Sequence, residues 1–192
     1  MAAMGARCLL LGLVLAWPVL GTAAQPRDPD PELLKAVEEA VEATDSFENR
    51  FDAEVWLTDM SGRLASRIPQ PDRRLRFLRV LHYEATRADL KPELVLAVID
   101  VESDFNRFAL SDAGARGYMQ IMPFWLEEIG RPNDNLFNTP TNLRMGCTIL
   151  GYYVERENGN LTKALARYNG SVGETWYPEL VFEALREHWY QH

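Results

Sequence analysis

The chain has 192 residues and a net charge of -8, with 47% hydrophobic and 25% charged residues. An acidic balance of this size argues against nucleic acid, which is ordinarily met by a basic surface. Only two cysteines and three histidines are present, and their spacing matches no metal motif.

The first 24 residues read as a secretory signal peptide. Arg7 supplies the positive start, residues 8–20 form an apolar run, and Gly21 to Ala24 are small residues suited to cleavage. The run is short for a membrane span, which needs about 20 apolar residues. An anchor left uncleaved is the alternative reading. Cys8 stands at the start of the apolar run, not after it, which argues against a lipid anchor. Removing this segment leaves about 168 residues, enough for one domain with a real core. No second apolar run is long enough to span a membrane.

Nearly everything that follows has helical periodicity. Residues 30–44 (DPELLKAVEEAVEAT) start with Pro31 in a first turn, where its missing N–H is harmless. Over 48–67 the pattern is ambiguous: Phe51 and Val55 are spaced as on one face, but Gly62 interrupts. Residues 72–89 place Leu75, Leu78, Leu81 and Ala85 on one stripe. The arginines of RRLRFLR (73–79) are assigned to the solvated face of that helix. Residues 91–103 form a further helix with Pro92 and Glu93 in its first turn, and a short one runs from Pro123 to Glu128. After the polar connection 130–140, Thr139-Pro140 reads as an N-cap followed by an N1 proline. Leu143, Cys147, Leu150 and Val154 then share a face, so Cys147 is expected to be a buried, inert thiol. Gly146 and Gly151 in that helix are expected to let another backbone approach closely. Residues 160–168 and 177–190 complete the helices. No sustained alternating pattern marks a strand, so the fold class is all-α with a single domain. A helical N-terminal extension would pack on the rest.

Within LVLAVIDVESDF (94–105), Val95, Val98 and Ile99 precede Glu102 by seven, four and three positions and share its helical face. Asp100 points roughly the other way. A carboxyl group in an apolar wall has its charged form disfavoured, which raises its pKa and suits a general acid. The other reading is a structural glutamate bonded to nearby N–H groups or an arginine. Downstream, Ser111 and Gln120 offer neutral hydrogen-bonding groups, and Met119, Ile121 and Met122 an adaptable apolar surface. Neutral donors beside an apolar wall suit an uncharged polymer such as a sugar chain. A plain core helix over YMQIM (118–122) is the alternative.

Glu102-Ser103-x-Phe105, followed by Ala109-x-Ser111-x-x-Gly114-Ala115-x-Gly117-x-Met119-Gln120-Ile121-Met122-Pro123, closely resembles the soluble lytic transglycosylase (SLT) domain, the goose-type-lysozyme-like domain of peptidoglycan-cleaving enzymes. NLFNTPTNLRMGCTILGYY (135–153) resembles the family's helix after the substrate cleft, and ALARYNGS (164–171) its Tyr-Asn motif. The resemblance runs from about residue 90 to 180 and implies a lysozyme-like helical domain over 76–192, with 25–75 as the extension. It implies that Glu102 is the single catalytic acid/base. Ser111 and Gln120 would line the cleft, Met119 and Met122 would shape its apolar wall, and Tyr168 and Asn169 would approach Glu102 from the far side. It further implies a lytic transglycosylase that cleaves between N-acetylmuramic acid and N-acetylglucosamine, leaves 1,6-anhydro-muramic acid ends, and needs no metal or cofactor. The expected partner is the peptidoglycan glycan strand, and the expected location is the periplasm. Residues 25–75 either dock a cell-envelope protein or cover the back of the domain. A hydrolytic muramidase on the same fold and a non-catalytic glycan-binding protein are the competing functions. Two positions depart from the family pattern: Tyr118 in place of the usual leucine, and Ser171-Val172 in place of Ala-Gly.

Overall fold

A computed structural model describes residues 46, 47 and 49–190. The signal segment and the helix expected over 30–44 lie outside the described residues. Among the described residues the regular elements are all helices: α1 (Arg50–Arg63), α2 (Pro71–Arg87), α3 (Pro92–Ser103), α4 (Trp125–Ile129), α5 (Thr139–Arg156), α6 (Leu161–Asn169) and α7 (Trp176–Ala184). The only β-type pairings among them are isolated bridges in the 110–121 loop.

The centre of the molecule is α3. Leu94, Val95, Leu96, Ala97, Val98 and Ile99 are all buried, so the helix is apolar all round. Around it pack α2 on one side and α7 with the following turn on the other; α5 then bridges α2 and α6. The stripe Leu75, Leu78, Leu81 and Ala85 of α2 is buried as its spacing predicts. Leu143, Cys147 and Leu150 of α5 are likewise fully buried. Burial pushes the Cys147 thiol well above its ordinary pKa, which keeps it protonated and unreactive.

The glycines of α5 face different neighbours. A Cβ on Gly151 would come within 2.7 Å of the Ala88 carbonyl oxygen, a backbone approach. At Gly146 the neighbour is a side chain: a Cβ there would lie 2.2 Å from Met119 Sδ.

Four details differ from the sequence reading. Phe51 and Val55 point outward, 72% and 50% exposed, because α1 buries the bulkier set Trp56, Leu57 and Met60 instead. Arg74 is not solvated: its guanidinium turns inward and donates to Ser61 Oγ at 2.8 Å and to the Ile68 and Pro69 carbonyls at 2.7 and 3.2 Å. It thereby satisfies backbone acceptors in the α1–α2 connection that would otherwise be left bare. The N-cap of α5 is Asn138, whose side chain accepts from Thr141 N–H, and Thr139 is already helical. The last helix breaks at Ala184 into a wider π turn over Leu185–Trp189, in which Trp189 is fully buried.

The α1 helix is continuous with the main core, through Trp56, Leu57, Met60 and Leu64. The 75/76 division falls inside α2. Among the described residues no helix is long and apolar enough to cross a membrane.

Candidate active site

The end of α3 sets the site. The helix stops because Asp104 and Phe105 both adopt left-handed backbone conformations, with φ of 45° and 60°. Ser103 secures the last turn, its hydroxyl donating to the Tyr118 carbonyl at 2.8 Å. Phe105 is driven into the core, against Phe77 and Trp189 at 6.0 and 5.3 Å between ring centroids. The chain is thereby turned back, and Glu102, in the last turn of α3, borders a cleft.

The 109–123 segment is neither a helix nor a free loop. It is a folded strap held by its own polar groups. Ser111 Oγ accepts from Ala115 N–H at 3.0 Å, and Gly114 N–H donates to the Ser111 carbonyl at 2.9 Å, closing a tight turn at Gly114 (φ 90°). The Gln120 side-chain amide donates to the Ala109 and Gly117 carbonyls at 3.2 and 2.9 Å. Buried Asn142 of α5 pins the strap from below. Its oxygen accepts from Met119 N–H at 2.8 Å, and its amide donates to the Arg116 and Leu136 carbonyls at 2.8 and 2.9 Å. Gly117 has to be glycine: its φ is 77°, and a Cβ would lie 2.5 Å from both Asn142 Nδ2 and the Leu136 carbonyl oxygen.

Between this strap and α6 lies a cleft of about 280 Å³. Glu102 borders it together with Ser111, Gln120, Met122, Tyr168 and Asn169. Ile121, Trp125 and Ile149 complete its apolar lining. Six of the seven residues singled out from sequence therefore converge. Met119 is the exception. It is fully buried, and its side chain fills the notch over Gly146 instead of the cleft wall. Met119 contributes through its backbone, its carbonyl accepting from the Tyr168 hydroxyl at 2.7 Å.

That bond also alters the expectation for Tyr168. Its hydroxyl ties α6 to the strap; the tyrosine that touches the carboxyl group is Tyr177, at the start of α7, which donates to Glu102 Oε1 at 2.7 Å. Tyr177 is buried, and burial together with the nearby Glu102 holds its hydroxyl well above the ordinary pKa, so it remains a donor. Nothing in the local pattern separates Tyr177 from a core aromatic, and its partner lies 75 residues away in the chain.

Burial pushes the Glu102 carboxyl up to about 7, against the smaller downward pull of the Tyr177 hydrogen bond. Among the described residues that line the cleft, Glu102 is the one carboxyl group. Asp104 and Asp112 are both exposed, and Asp104 pairs with Arg67 at 2.8 Å. Tyr118 lies outside the cleft, its buried ring 4.8 Å from that of Phe77.

The transglycosylase SLT domain model matches residues 79–179, just over half of the chain. The chain belongs to this family. A transglycosylase of Enterobacteria phage PRD1 is 31% identical over 86 residues, covering 45% of this chain and 31% of the phage protein. Membrane-bound lytic murein transglycosylase C of Yersinia pestis (strain Pestoides F) is 28% identical over 114 residues, covering 51% of this chain and 32% of that protein. The chain thus spans about a third of the length of these relatives. An inactive mutant of the lytic transglycosylase Slt from Pseudomonas aeruginosa aligns with a TM-score of 0.46 at 21% identity, over 81% of this chain and 34% of that one. The SLT match contains Glu102, the strap, α5, α6 and Tyr177. It leaves α1 and the π turn outside.

Proposed function

We propose that this SLT-family chain is a peptidoglycan lytic transglycosylase that uses Glu102 as its single acid and base. The observation that carries the reading is a lone carboxyl group in a neutral cleft, raised to about 7 and held by one tyrosine hydroxyl. At neutral pH such a group is divided between its two forms, as a residue must be that first gives and then takes a proton.

In the first step protonated Glu102 gives its proton to the glycosidic oxygen linking N-acetylmuramic acid to N-acetylglucosamine. The C1–O bond breaks, and the substrate's own 2-acetamido oxygen stabilises the cationic centre. The Glu102 carboxylate, now accepting from Tyr177, takes the proton of the muramic acid C6 hydroxyl. Its O6 then attacks C1 to close the 1,6-anhydro ring. Glu102 ends protonated, as it began, and no water is consumed. Ordinary glycosidases place a second carboxylate about 5–9.5 Å from the first. The lining of this cleft supplies none, which favours the intramolecular route over hydrolysis. The place of action that fits this substrate is the periplasmic face of the cell envelope.

Digestion of purified sacculi followed by mass spectrometry tests the reading. The expected products carry anhydro ends one water lighter than reducing ends. Reducing ends would make the protein a hydrolytic muramidase, and intact sacculi would make it a binding protein.

A further inference from the structure

The polar side chains of the cleft are largely engaged by the protein itself. Gln120 spends its amide nitrogen on two strap carbonyls, and Ser111 Oγ already accepts from Ala115 N–H. The Tyr168 hydroxyl is bound to Met119. Part of the cleft's hydrogen-bonding capacity is thus spent inside the protein, and apolar contact is the natural complement to what remains.

Trp125 is the group placed to supply it. It opens α4 directly after the strap, packs partly against the core, and lines the cleft. Ile121, Met122 and Ile149 already provide the apolar walls near Glu102, so a flat indole is not needed to keep the carboxyl dry. Phe124 lies beside it, 53% exposed, with its ring centroid 5.2 Å from that of Trp125 and the planes 33° apart. Phe124 is not itself in the cleft lining, but its exposed ring lies against the one that is. β-Linked hexosamine rings present axial C–H groups on their faces, which match such a surface, while their hydroxyl and amide groups stay free for water or neutral donors.

We propose that Trp125, extended at the rim by Phe124, is the platform on which this cleft stacks a pyranose ring of the glycan. The proposal rests on the transglycosylase reading and deepens it. Trp125 acts in holding the sugar chain, not in proton transfer.

The test uses the full chain carrying Glu102→Gln, so that glycan is bound and not cut, and a soluble chito-oligosaccharide as the probe. Calorimetry on Trp125→Ala should show affinity weakened by about tenfold or more, the scale expected for losing a stacked indole. Trp125→Phe should stay within about threefold, and Phe124→Ala should fall between the two. Intrinsic fluorescence gives a readout independent of folding losses: the glycan-dependent change should vanish in Trp125→Phe. In the active protein Trp125→Ala should raise KM on sacculi with kcat little changed. Unchanged affinity in Trp125→Ala, or an undiminished fluorescence response in Trp125→Phe, overturns the platform. Sacculi cleaved by the wild type with unchanged binding in the variants would sink the platform alone; no cleavage and no binding by any form would sink the transglycosylase reading with it.

Discussion

Asp100 and Glu102 stand two residues apart on α3 and have opposite surroundings. The Asp100 side chain is only 8% exposed yet fully engaged, meeting Arg67 at 3.1 Å, His188 Nδ1 at 2.7 Å and the Trp189 indole N–H at 2.9 Å. Arg67 in turn lies over the Phe105 and Trp189 rings, at 5.7 and 5.9 Å from their centroids. Among the described residues Glu102 has one hydroxyl donor and no cation within ion-pair distance, and its pKa climbs to about 7. The same functional group is thus an ion-paired fastener on one face of the helix and, on the other, a carboxyl group held by a tyrosine hydroxyl and proposed to carry the proton. Asp100 has cationic and N–H partners to offset its burial, whereas the burial of Glu102 is offset only in part by one hydroxyl. The fastener also ties in the parts beyond the SLT match: Arg67 follows α1, and His188 and Trp189 belong to the π turn.

Removing Glu102 gives the largest effect and its sign is informative. Glu102→Gln should lower cleavage of sacculi by about 10³-fold, the middle of the range for loss of a general acid–base group. It should also stabilise the fold at alkaline pH. Because the folded pKa of Glu102 is raised from 4.5 to about 7, the contribution of this group to stability is fully present below about pH 4.5 and is lost as pH rises through 7. Glu102→Gln escapes that loss, which is of order 3 kcal/mol at about 1.4 kcal/mol per pH unit. Thermal melts at pH 4 and pH 8 check this: the variant's advantage should be absent at the lower pH and present at the higher. Equal melting temperatures at both would mean that the carboxyl is not disfavoured in its charged form.

Removing the charge of Asp100 should do the reverse. Asp100→Asn leaves Arg67 with a weakened partner and turns an amide toward the His188 and Trp189 donors. A loss of about 2 kcal/mol, or roughly 4–8 °C in melting temperature, is expected. Cleavage assayed well below that temperature should stay within about threefold, since no proton moves through Asp100. A large loss of activity without a loss of stability would show that the two carboxyl groups are coupled and not divided in role.

How far this division was legible beforehand depends on the reach of each contact. The stripes of α2 and the buried face of α5 follow from spacing alone, because each is settled within one helix. Glu102 stands out because its apolar neighbours are three, four and seven positions away. Arg74 does not, because its partners are carbonyls in a connection that sequence cannot place. Asn142 and Tyr177 are hidden for the same reason, meeting Met119 and Glu102 across 23 and 75 residues of chain. Met119 misleads because the strap has neither helical nor strand period. Neighbouring Met119 and Gln120 turn to core and cleft by a positive φ of 47° at Gln120, which no hydropathy pattern encodes.

Tyr177 offers the finest test of the comparison, because it is the one donor that makes Glu102 slightly resemble Asp100. Its hydrogen bond favours the carboxylate and pulls the Glu102 pKa down, against the larger effect of burial. Tyr177→Phe removes that pull while keeping the ring that fills the core, so the carboxyl should hold its proton to still higher pH. The alkaline limb of the pH–rate profile, set by loss of the acid form above about pH 7, should therefore move upward. The maximal rate should fall by about tenfold or somewhat more, as expected for one hydrogen bond to a charged group. On the proposed mechanism that loss would belong to the second half of the reaction, where the carboxylate has to persist long enough to accept the C6 hydroxyl proton. A limb that moved downward would mean that Tyr177 bonds to the protonated acid more strongly than to its conjugate base, and Tyr177 would then be a brace for the acid form, not a partner of the base.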